Sequence, residues 1–133
     1  MMVYLDSVIL VYFFDHSGEF LQRAARRLAT LRAAGDGIAV SDLVRMECRM
    51  DPLRHRDAKR LARFDTFFAR DDVDKIPITT AVFDRATQIR AIHGYKAIDA
   101  LNLATAVEGG CEVFLTNDLK LRSISGLTVE VLP

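Results

Sequence analysis

The sequence predicts a three-layer α/β/α domain around a mostly parallel five-stranded sheet. Short apolar segments alternate with longer amphipathic segments along the whole chain, an order typical of strands joined by crossover helices. The length of 133 residues suits one core, and half of the residues are hydrophobic. No repeat, linker or low-complexity tract divides the sequence, so we expect residues 1–133 to form a single domain.

The first third of the chain predicts two strands and two helices. Met2–Leu5 is short and apolar, as expected of a buried strand, and residues 8–14 continue the apolar run in a form that can turn helical after Asp6. Residues 19–34 place their apolar side chains on one side at helical spacing. Two glycines end this helix, and residues 38–40 form the second predicted strand.

The middle of the chain predicts two further helices and a strand. Ser41 is suited to cap a helix that contains Glu47. Because proline is tolerated at the first position of a helix, a new helix is predicted from Pro52 to about residue 70. Residues 73–78 form the third predicted strand, at an edge of the sheet because its proline lacks an N–H donor.

The last third repeats the alternation of helix and strand. Thr79 or Thr80 can cap a helix that ends at Gly94, and residues 99–108 form the next helix. The last two predicted strands span residues 112–116 and 128–132.

Charge is unevenly distributed although the net charge is zero. Residues 20–63 contain eleven Lys or Arg against five Asp or Glu, a net charge of +6, whereas residues 71–133 have a net charge of −3. A basic half suits a polyanion such as nucleic acid. A solvated helical face explains the same run of charge, so the pattern leaves both interpretations open.

The composition also bears on location. Cys48 and Cys111 lie in apolar segments and are expected to be reduced, packed thiols. The chain does not begin with a signal-peptide pattern, and no apolar run is long enough to cross a membrane. We therefore expect a cytoplasmic protein with no membrane partner.

Four acidic side chains occupy positions where parallel sheets form their sites. Asp6 follows the first predicted strand, and Asp118 comes two residues after the end of the fourth. Asp99 begins one predicted helix, and Glu47 lies about two turns into another. Because sites in open parallel sheets form beyond the carboxyl ends of the strands, these four carboxylates can converge on one pocket.

Convergence of carboxylates is unfavourable without a cation. Two carboxylates ~5 Å apart repel each other by about 3 kcal/mol at an effective dielectric constant near 20. The hard ions Mg²⁺ and Mn²⁺ prefer oxygen ligands, whereas His16, His55 and His93 are too scattered for a zinc site. An oxygen-only metal site suits phosphodiester hydrolysis, in which the metal polarises the phosphate and lowers the pKa of the attacking water.

Motifs of other phosphate-handling and hydrolytic proteins are absent from the sequence. It contains no P-loop, no GxGxxG after the first predicted strand and no nucleophile elbow around a serine. A dehalogenase-type phosphatase needs a second aspartate two residues after Asp6, where this chain has Val8.

Four segments together resemble a PIN domain: VYLDSVILVYFF, SDLVRMECRM, YKAIDALNLATA and VFLTNDLKL. They occur in the order and at the spacings of that family, over nearly the whole chain. More narrowly, the sequence is similar to the VapC ribonuclease toxins of VapBC toxin–antitoxin systems. The resemblance implies a PIN-like fold, a magnesium-dependent endoribonuclease with manganese as an alternative metal, an RNA substrate, a cognate VapB-type antitoxin and a homodimer.

The acidic residues of the family match this chain one by one, at Asp6, Glu47, Asp99 and Asp118. The resemblance implies that Asp6, Asp99 and Asp118 bind the metal, and that Glu47 is a ligand or orients water. Many relatives have asparagine where this chain has Val8. This departure affects a contact around the site and not the metal ligands themselves.

Each acid also has a purely structural explanation. Asp6 can cap the following helix, Glu47 can be an exposed helical residue, and Asp99 can be an N-cap worth ~1 kcal/mol. Asp118 can cap a short helix that starts at the next residue. Asn102, one turn after Asp99, is left outside the predicted site.

Thr116 and Asn117 are candidates for holding water or phosphate, with a simple turn as the alternative. The predicted helices over 19–34 and 52–70 have apolar stripes beside dense arginine, which predicts a groove for an amphipathic antitoxin segment. Core packing or a homodimer interface explains the same stripes. Two other functions stay open, namely a housekeeping PIN nuclease in RNA maturation and a non-catalytic module that binds antitoxin and operator.

Overall fold

The computed structural model of the protein describes residues 1–15 and 17–132, so His16 and Pro133 lie outside the described residues. Strands and helices alternate as the sequence predicts. In chain order the elements are β1 Met2–Leu5, α1 Ser7–Asp15, α2 Gly18–Ala33, β2 Gly37–Val40, α3 Asp42–Arg54, α4 Ala58–Phe68, β3 Val73–Lys75, α5 Thr80–His93, α6 Ala97–Glu108, β4 Val113–Thr116 and β5 Thr128–Val131.

The five strands form one sheet in the order β3-β2-β1-β4-β5. Each neighbouring pair of these strands is parallel. The helices pack in two groups, since α5 lies against α6 whereas α1 contacts α2, α3 and α4. The predicted three-layer α/β/α architecture is confirmed, and every pairing of the named strands is parallel where the sequence predicted a mostly parallel sheet.

The core lies on the central strands, as expected when both faces of a parallel sheet are covered by helices. Val3, Tyr4 and Leu5 of β1 are completely buried, and the Tyr4 ring stacks on Phe114 of β4 with 5.3 Å between the ring centroids. The two cysteines are buried and free, as the sequence predicts. In residues 1–15 and 17–132, no helix has the length and apolar character needed to span a membrane.

Pro52 does not begin a helix, contrary to the prediction. It lies inside α3, which continues to Arg54, and the next helix begins only at Ala58. A proline in the last turn removes a single backbone hydrogen bond, so α3 can tolerate it there. Asp57 provides the stronger start, because its side chain accepts a hydrogen bond from the Arg60 amide at 3.2 Å and caps α4.

Strand β3 lies at an edge of the sheet, as the sequence predicts, but it is shorter than expected. The strand ends at Lys75, although the amide of Ile76 still donates to the Val40 carbonyl at 2.9 Å. The neighbouring strand β2 also ends at Val40, so β3 has no further residue of β2 with which to pair. The predicted strand over residues 73–78 is therefore wrong at its end, because the strand that it pairs with ends first.

Candidate functional site

The strand order creates a crevice between β1 and β4. Strands β2 and β3 follow β1 on one side of the sheet, whereas β4 and β5 lie on the other, so the order reverses at this point. Ligands of open parallel sheets bind beyond the carboxyl ends of the strands at such a reversal. Asp6 directly follows β1, and its amide donates to the Leu115 carbonyl of β4 at 2.9 Å. Asp118 lies two residues after the end of β4.

The four predicted acids share one open pocket of about 340 Å³ beyond this edge of the sheet. They come from the β1–α1 junction, from α3, from α6 and from the loop after β4. The pocket is lined by Asp6, Ser7, Val8, Glu47, Asp99, Asn117 and Asp118. The structure thus brings together side chains that lie far apart in sequence, and their functional role stays a prediction at this point.

The Asp6 carboxylate is held at both oxygens. Its Oδ1 accepts a hydrogen bond from the Ser7 amide at 2.8 Å, and its Oδ2 accepts one from the Thr116 hydroxyl at 2.7 Å. Burial raises the pKa of Asp6 above its ordinary value, and the charges of Asp99 and Asp118 raise it further. The two hydrogen bonds oppose this rise because they favour the ionised form.

Thr116 connects two of the acids. Its side chain is fully buried, donates to Asp6, and accepts a hydrogen bond from the Asp118 amide at 3.1 Å. The hydroxyl is therefore engaged within the protein, and neither water nor phosphate is needed to explain its position. Asn117 lines the pocket and donates from Nδ2 to the Tyr12 hydroxyl at 2.7 Å.

Glu47 extends from α3 into the pocket and is contacted by a buried amide. Asn102 Nδ2 donates to Glu47 Oε1 at 3.2 Å. Burial raises the pKa of Glu47, the charge of Asp6 adds to this rise, and the bond from Asn102 opposes it. Asn102 is not among the site residues that the sequence predicts. The sequence does contain one signal for it. Asn102 is a polar residue one turn after Asp99, and the residues on either side of it in the sequence, Leu101 and Leu103, are apolar.

Asp99 is the third residue of α6 and is not its N-cap. The capping position is Lys96, so the alternative that Asp99 is an N-cap is wrong, although an acid in the first turn of a helix still interacts favourably with the helix dipole. Burial raises the pKa of Asp99, as does the charge of Asp118, whereas Lys96 and Lys120 lower it. Within the described part of the chain, the Asp99 carboxylate accepts no hydrogen bond. It lines the acidic pocket together with Asp6 and Asp118.

Asp118 stabilises a turn and not a helix. Its Oδ1 accepts a hydrogen bond from the Lys120 amide at 2.9 Å, and its carbonyl accepts one from Leu121 at 3.2 Å. Residues 117–120 form bends and turns, so the short helix considered in the sequence analysis is not formed. The local bond leaves Asp118 Oδ2 without a hydrogen-bond donor among the described residues.

Comparison with known protein families matches residues 3–127 to the PIN domain. The chain belongs to the PIN domain family. Among curated protein sequences, no significant match is found. Several solved structures share the fold at low sequence identity.

Three of these structures show how far the likeness extends. VapBC2 from Rickettsia felis, bound to a DNA fragment from its promoter, is 18% identical, with a TM-score of 0.80 and full coverage of both chains. DNA-bound VapBC from Salmonella typhimurium is 19% identical, with a TM-score of 0.77 and coverage of 100% and 99%. VapC20 from Mycobacterium tuberculosis, a toxin that cleaves the sarcin–ricin loop, is 16% identical, with a TM-score of 0.68 and coverage of 84% and 86%. At these identities the likeness establishes the fold.

The donors of the PIN domain pocket fit a hard divalent cation. All four acids offer carboxylate oxygens, and none forms an ion pair with a Lys or Arg in the described structure. No three His, Cys, Asp or Glu side chains within residues 1–15 and 17–132 already form a compact metal-binding group. Because Mg²⁺ retains several waters and takes few protein ligands, an open acidic pocket suits it better than a closed cage would.

A second concave surface lies on the helices and not at the sheet edge. This α2–α4 groove has a volume of about 500 Å³ and an apolar floor that includes Phe13, Phe14 and Phe67. Arg32, Arg63 and Arg70 also line it. The predicted groove beside the arginine-rich helices is therefore present, and its occupant stays a prediction.

Many arginines of the basic half are neutralised within the chain. Arg32 and Arg70 both pair with Asp72, at 3.1 and 2.7 Å. Further pairs of this kind are Arg23 with Glu19, Arg27 with Glu130, Arg49 with Asp65, and Arg60 with Asp15 and Asp51. The charge of +6 over residues 20–63 therefore overstates the positive surface available to a polyanion.

Proposed function

We propose that this PIN domain is a magnesium-dependent endoribonuclease and the toxin of a type II toxin–antitoxin system, acting in the cytoplasm. The observation that carries the proposal is the pocket at the switch point of the sheet, where four carboxylates from four segments meet without an ion-paired cation in the described structure. Membership of the PIN family and the fold shared with VapBC structures support it.

Three of the acids would hold the metal, namely Asp6, Asp99 and Asp118. A bound Mg²⁺ or Mn²⁺ ion supplies Lewis acidity, which lowers the pKa of water and offsets charge on the phosphate. Glu47 would orient the attacking water and accept its proton. Burial and the charge of Asp6 raise the pKa of Glu47, which moves a carboxylate toward the range useful for a general base near neutral pH.

Cleavage of RNA by the purified chain tests the enzymatic part of the proposal. We expect cleavage with Mg²⁺ or Mn²⁺ and none in EDTA. Asp6→Asn should abolish it, because the substitution keeps the size of the side chain and removes the charge that would bind the metal. A chain that cuts RNA equally well in EDTA, or after Asp6→Asn, would contradict the metal-dependent mechanism.

Growth of an expressing strain tests the toxin part. Wild-type chain alone should arrest growth, and Asp6→Asn should relieve the arrest while the protein remains folded by circular dichroism. A housekeeping nuclease predicts RNA cleavage without arrest. A non-catalytic binding module predicts the same phenotype for wild type and Asp6→Asn.

The α2–α4 groove is proposed to receive the antitoxin. An amphipathic segment would bury its apolar face on Phe13, Phe14 and Phe67, and an acidic side chain would pair with Arg63. Arg63 forms no ion pair in the described residues, unlike the other two groove arginines.

Ala29→Trp should obstruct the groove and weaken the complex with the protein encoded upstream, measured by calorimetry. Ala91→Trp on α5 is the control, and equal binding by both variants would argue against this groove.

We further propose a homodimer that uses the outer face of α3. Met46, Met50 and Leu53 recur at helical spacing and are each more than half exposed. A second copy of the chain would cover these side chains. Light scattering should give twice the monomer mass, and Met50→Lys should return the monomer. An unchanged mass after Met50→Lys would place the interface elsewhere.

A further inference from the structure

A line of buried hydrogen bonds connects the centre of the sheet with the acidic pocket. Tyr4 of β1 donates from its hydroxyl to Asn102 Oδ1 at 2.7 Å, and the same hydroxyl lies 2.7 Å from Ser41 Oγ. Asn102 Nδ2 then donates to Glu47 Oε1 and to the Ile98 carbonyl, both at 3.2 Å. Tyr4, Ser41 and Asn102 are each at most 3% exposed.

The chemistry of the groups fixes the direction of this line. The amide nitrogen of Asn102 must face Glu47 and the Ile98 carbonyl, because a flipped amide would bring its oxygen against two acceptors. Tyr4 has a single hydroxyl proton and donates it to Asn102, so the Ser41 hydroxyl donates to Tyr4. Every bond therefore points in one direction, and the line ends on the Glu47 carboxylate.

The core has no need of these polar groups for its packing. Phe114, on whose ring Tyr4 stacks, is apolar and almost fully buried. Phenylalanine at position 4 and leucine at position 102 would occupy similar volumes without a hydroxyl or amide to satisfy. Buried polar groups are costly unless they are bonded, so their presence here indicates a role at the end of the line.

Resting on the proposed nuclease function, we propose that Asn102 is a positioning residue that acts through Glu47. Held in turn by Tyr4 and Ser41, it binds Glu47 Oε1 at 3.2 Å, and the Ser7 side chain also bonds to this carboxylate, so that together they set the side of Glu47 that faces the attacking water. A bond from a neutral amide to an ionised carboxylate is among the stronger hydrogen bonds of proteins, and its direction restricts where the carboxylate can lie. Asn102 itself touches neither RNA nor metal in this arrangement.

The test compares Asn102→Leu and Tyr4→Phe with a matched control, Thr105→Val. Thr105 is buried on the same helix, and its hydroxyl bonds only to the Leu101 carbonyl within the described residues. Each substitution removes a buried polar group of similar size. All three are made in the wild-type chain and in Glu47→Gln, and kcat, KM for RNA and Mn²⁺ affinity are measured for every variant.

We expect Asn102→Leu to lower kcat by roughly tenfold to a hundredfold, as for loss of a hydrogen bond to a charged group, with KM and Mn²⁺ affinity unchanged. Tyr4→Phe should lower kcat less, and Thr105→Val should leave it unchanged. In Glu47→Gln, neither Asn102→Leu nor Tyr4→Phe should lower the residual rate further, because the group through which they act is already altered.

Three outcomes would overturn the inference. Effects that simply add to that of Glu47→Gln would mean that Asn102 supports the fold in general, and so would an equal loss in Thr105→Val. A fall in Mn²⁺ affinity as large as the fall in kcat would mean that Glu47 binds the metal and does not orient water. If Asn102→Leu fails to fold, Tyr4→Phe decides the question, because its ring still packs on Phe114.

A wild-type chain without nuclease activity would refute the proposed function and still leave the positioning role testable. Crystal structures of wild type and Asn102→Leu would then be compared. If the Glu47 carboxylate moves while Asp6, Asp99 and Asp118 stay in place, Asn102 positions it. If Glu47 keeps its place without Asn102, the inference is wrong.

Discussion

Charge is organised in opposite ways in the acidic pocket and around the α2–α4 groove. Beside the groove, Arg32 and Arg70 both form ion pairs with Asp72, so these charges have a partner within the chain. In the pocket, the charges of Asp99 and Asp118 raise the pKa of Asp6, and none of the acids has an ion-paired Lys or Arg in the described residues. The first arrangement pairs charges within the fold, whereas the second leaves four acids for the cation that we propose.

The pKa values express the same contrast. Arg70 and Arg32 lower the pKa of Asp72 well below the ordinary value near 3.9. Burial and neighbouring carboxylates raise the pKa of Asp6 and of Asp99. The two regions should therefore respond in opposite senses to pH, to neutralising substitutions and to divalent cations.

Removing a metal-binding acid should have the largest effect. Asp99→Asn should lower the rate of RNA cleavage by about 10³-fold, or roughly 4 kcal/mol of transition-state stabilisation, because one proposed ligand is lost. Asp84→Asn on α5 is the matched control, since that side chain is exposed and lies outside the pocket. Single-turnover kinetics would measure both, and an Asp99→Asn chain as active as wild type would refute the proposed site.

Divalent cation should have the next largest effect, on thermal stability. At a hundredfold excess over Kd, binding stabilises the folded state by ~2.7 kcal/mol, which is about 10 °C in Tm for a domain of this size. Mn²⁺ or Mg²⁺ should raise Tm, and EDTA should reverse the rise. Asp99→Asn should weaken this response, whereas Asp72→Asn should keep it. If neither ion changes the Tm of the wild-type chain at millimolar concentration, the proposed metal site is wrong.

The metal-free pocket should destabilise the fold at neutral pH. An acid whose pKa is raised on folding ionises more readily in the unfolded chain, so its contribution worsens as pH rises from about 4 through the raised pKa. Asp99→Asn should therefore stabilise the metal-free protein at pH 7, by on the order of 1 kcal/mol from relief of repulsion. Urea unfolding in EDTA at pH 4 and 7 would measure this, with the gain shrinking at the lower pH.

Asp72→Asn should change stability in the opposite sense. Its lowered pKa means that Asp72 stabilises the fold above its ordinary pKa and loses this contribution as pH falls toward the folded value. The substitution should lower stability at pH 7 only slightly, because the pair is exposed and screened by salt. If Asp72→Asn and Asp99→Asn change the free energy of unfolding in the same direction in this urea experiment, the proposed contrast between the two regions is wrong.

The smallest effect concerns attraction of RNA. Lys120 lies near the pocket without an ion pair in residues 1–15 and 17–132, whereas Arg49 is already bonded to Asp65 at 2.8 Å. If Lys120 meets a phosphate, Lys120→Ala should reduce the slope of log affinity against log salt by about 0.7, as for one contact with single-stranded nucleic acid. Arg49→Ala should change the slope less. Binding titrations on the Asp99→Asn chain, which should not cleave, would measure both slopes.

The alternation of strands and helices was predictable because it depends on local pattern. Apolar runs, capping residues and breakers lie close together in sequence, and most of the predicted elements are present. Pro52 misled because a helix can continue through a proline near its end when the following segment offers a better cap at Asp57. The strand order was not predictable from such patterns, since it depends on contacts between distant segments.

The candidate site was predictable in its acids and not in its support. Carboxylates in apolar surroundings stand out in a sequence, as Asp6 and Asp99 do. Asn102 does not, because an asparagine in a helix is common, and Thr116 was predicted to contact water or phosphate and not Asp6. Their roles depend on one bond each, across 55 and 110 residues of chain, that only the folded structure defines.

The short strand β3 also bears on how the protein behaves when it is abundant. An exposed sheet edge can pair with the edge of another molecule and start aggregation. Here the edge strand has only three residues, exposes Asp74 and Lys75, and is followed two residues later by Pro77. Such an edge is a poor template for intermolecular β-pairing, so we do not expect aggregation of the overexpressed chain to start at β3.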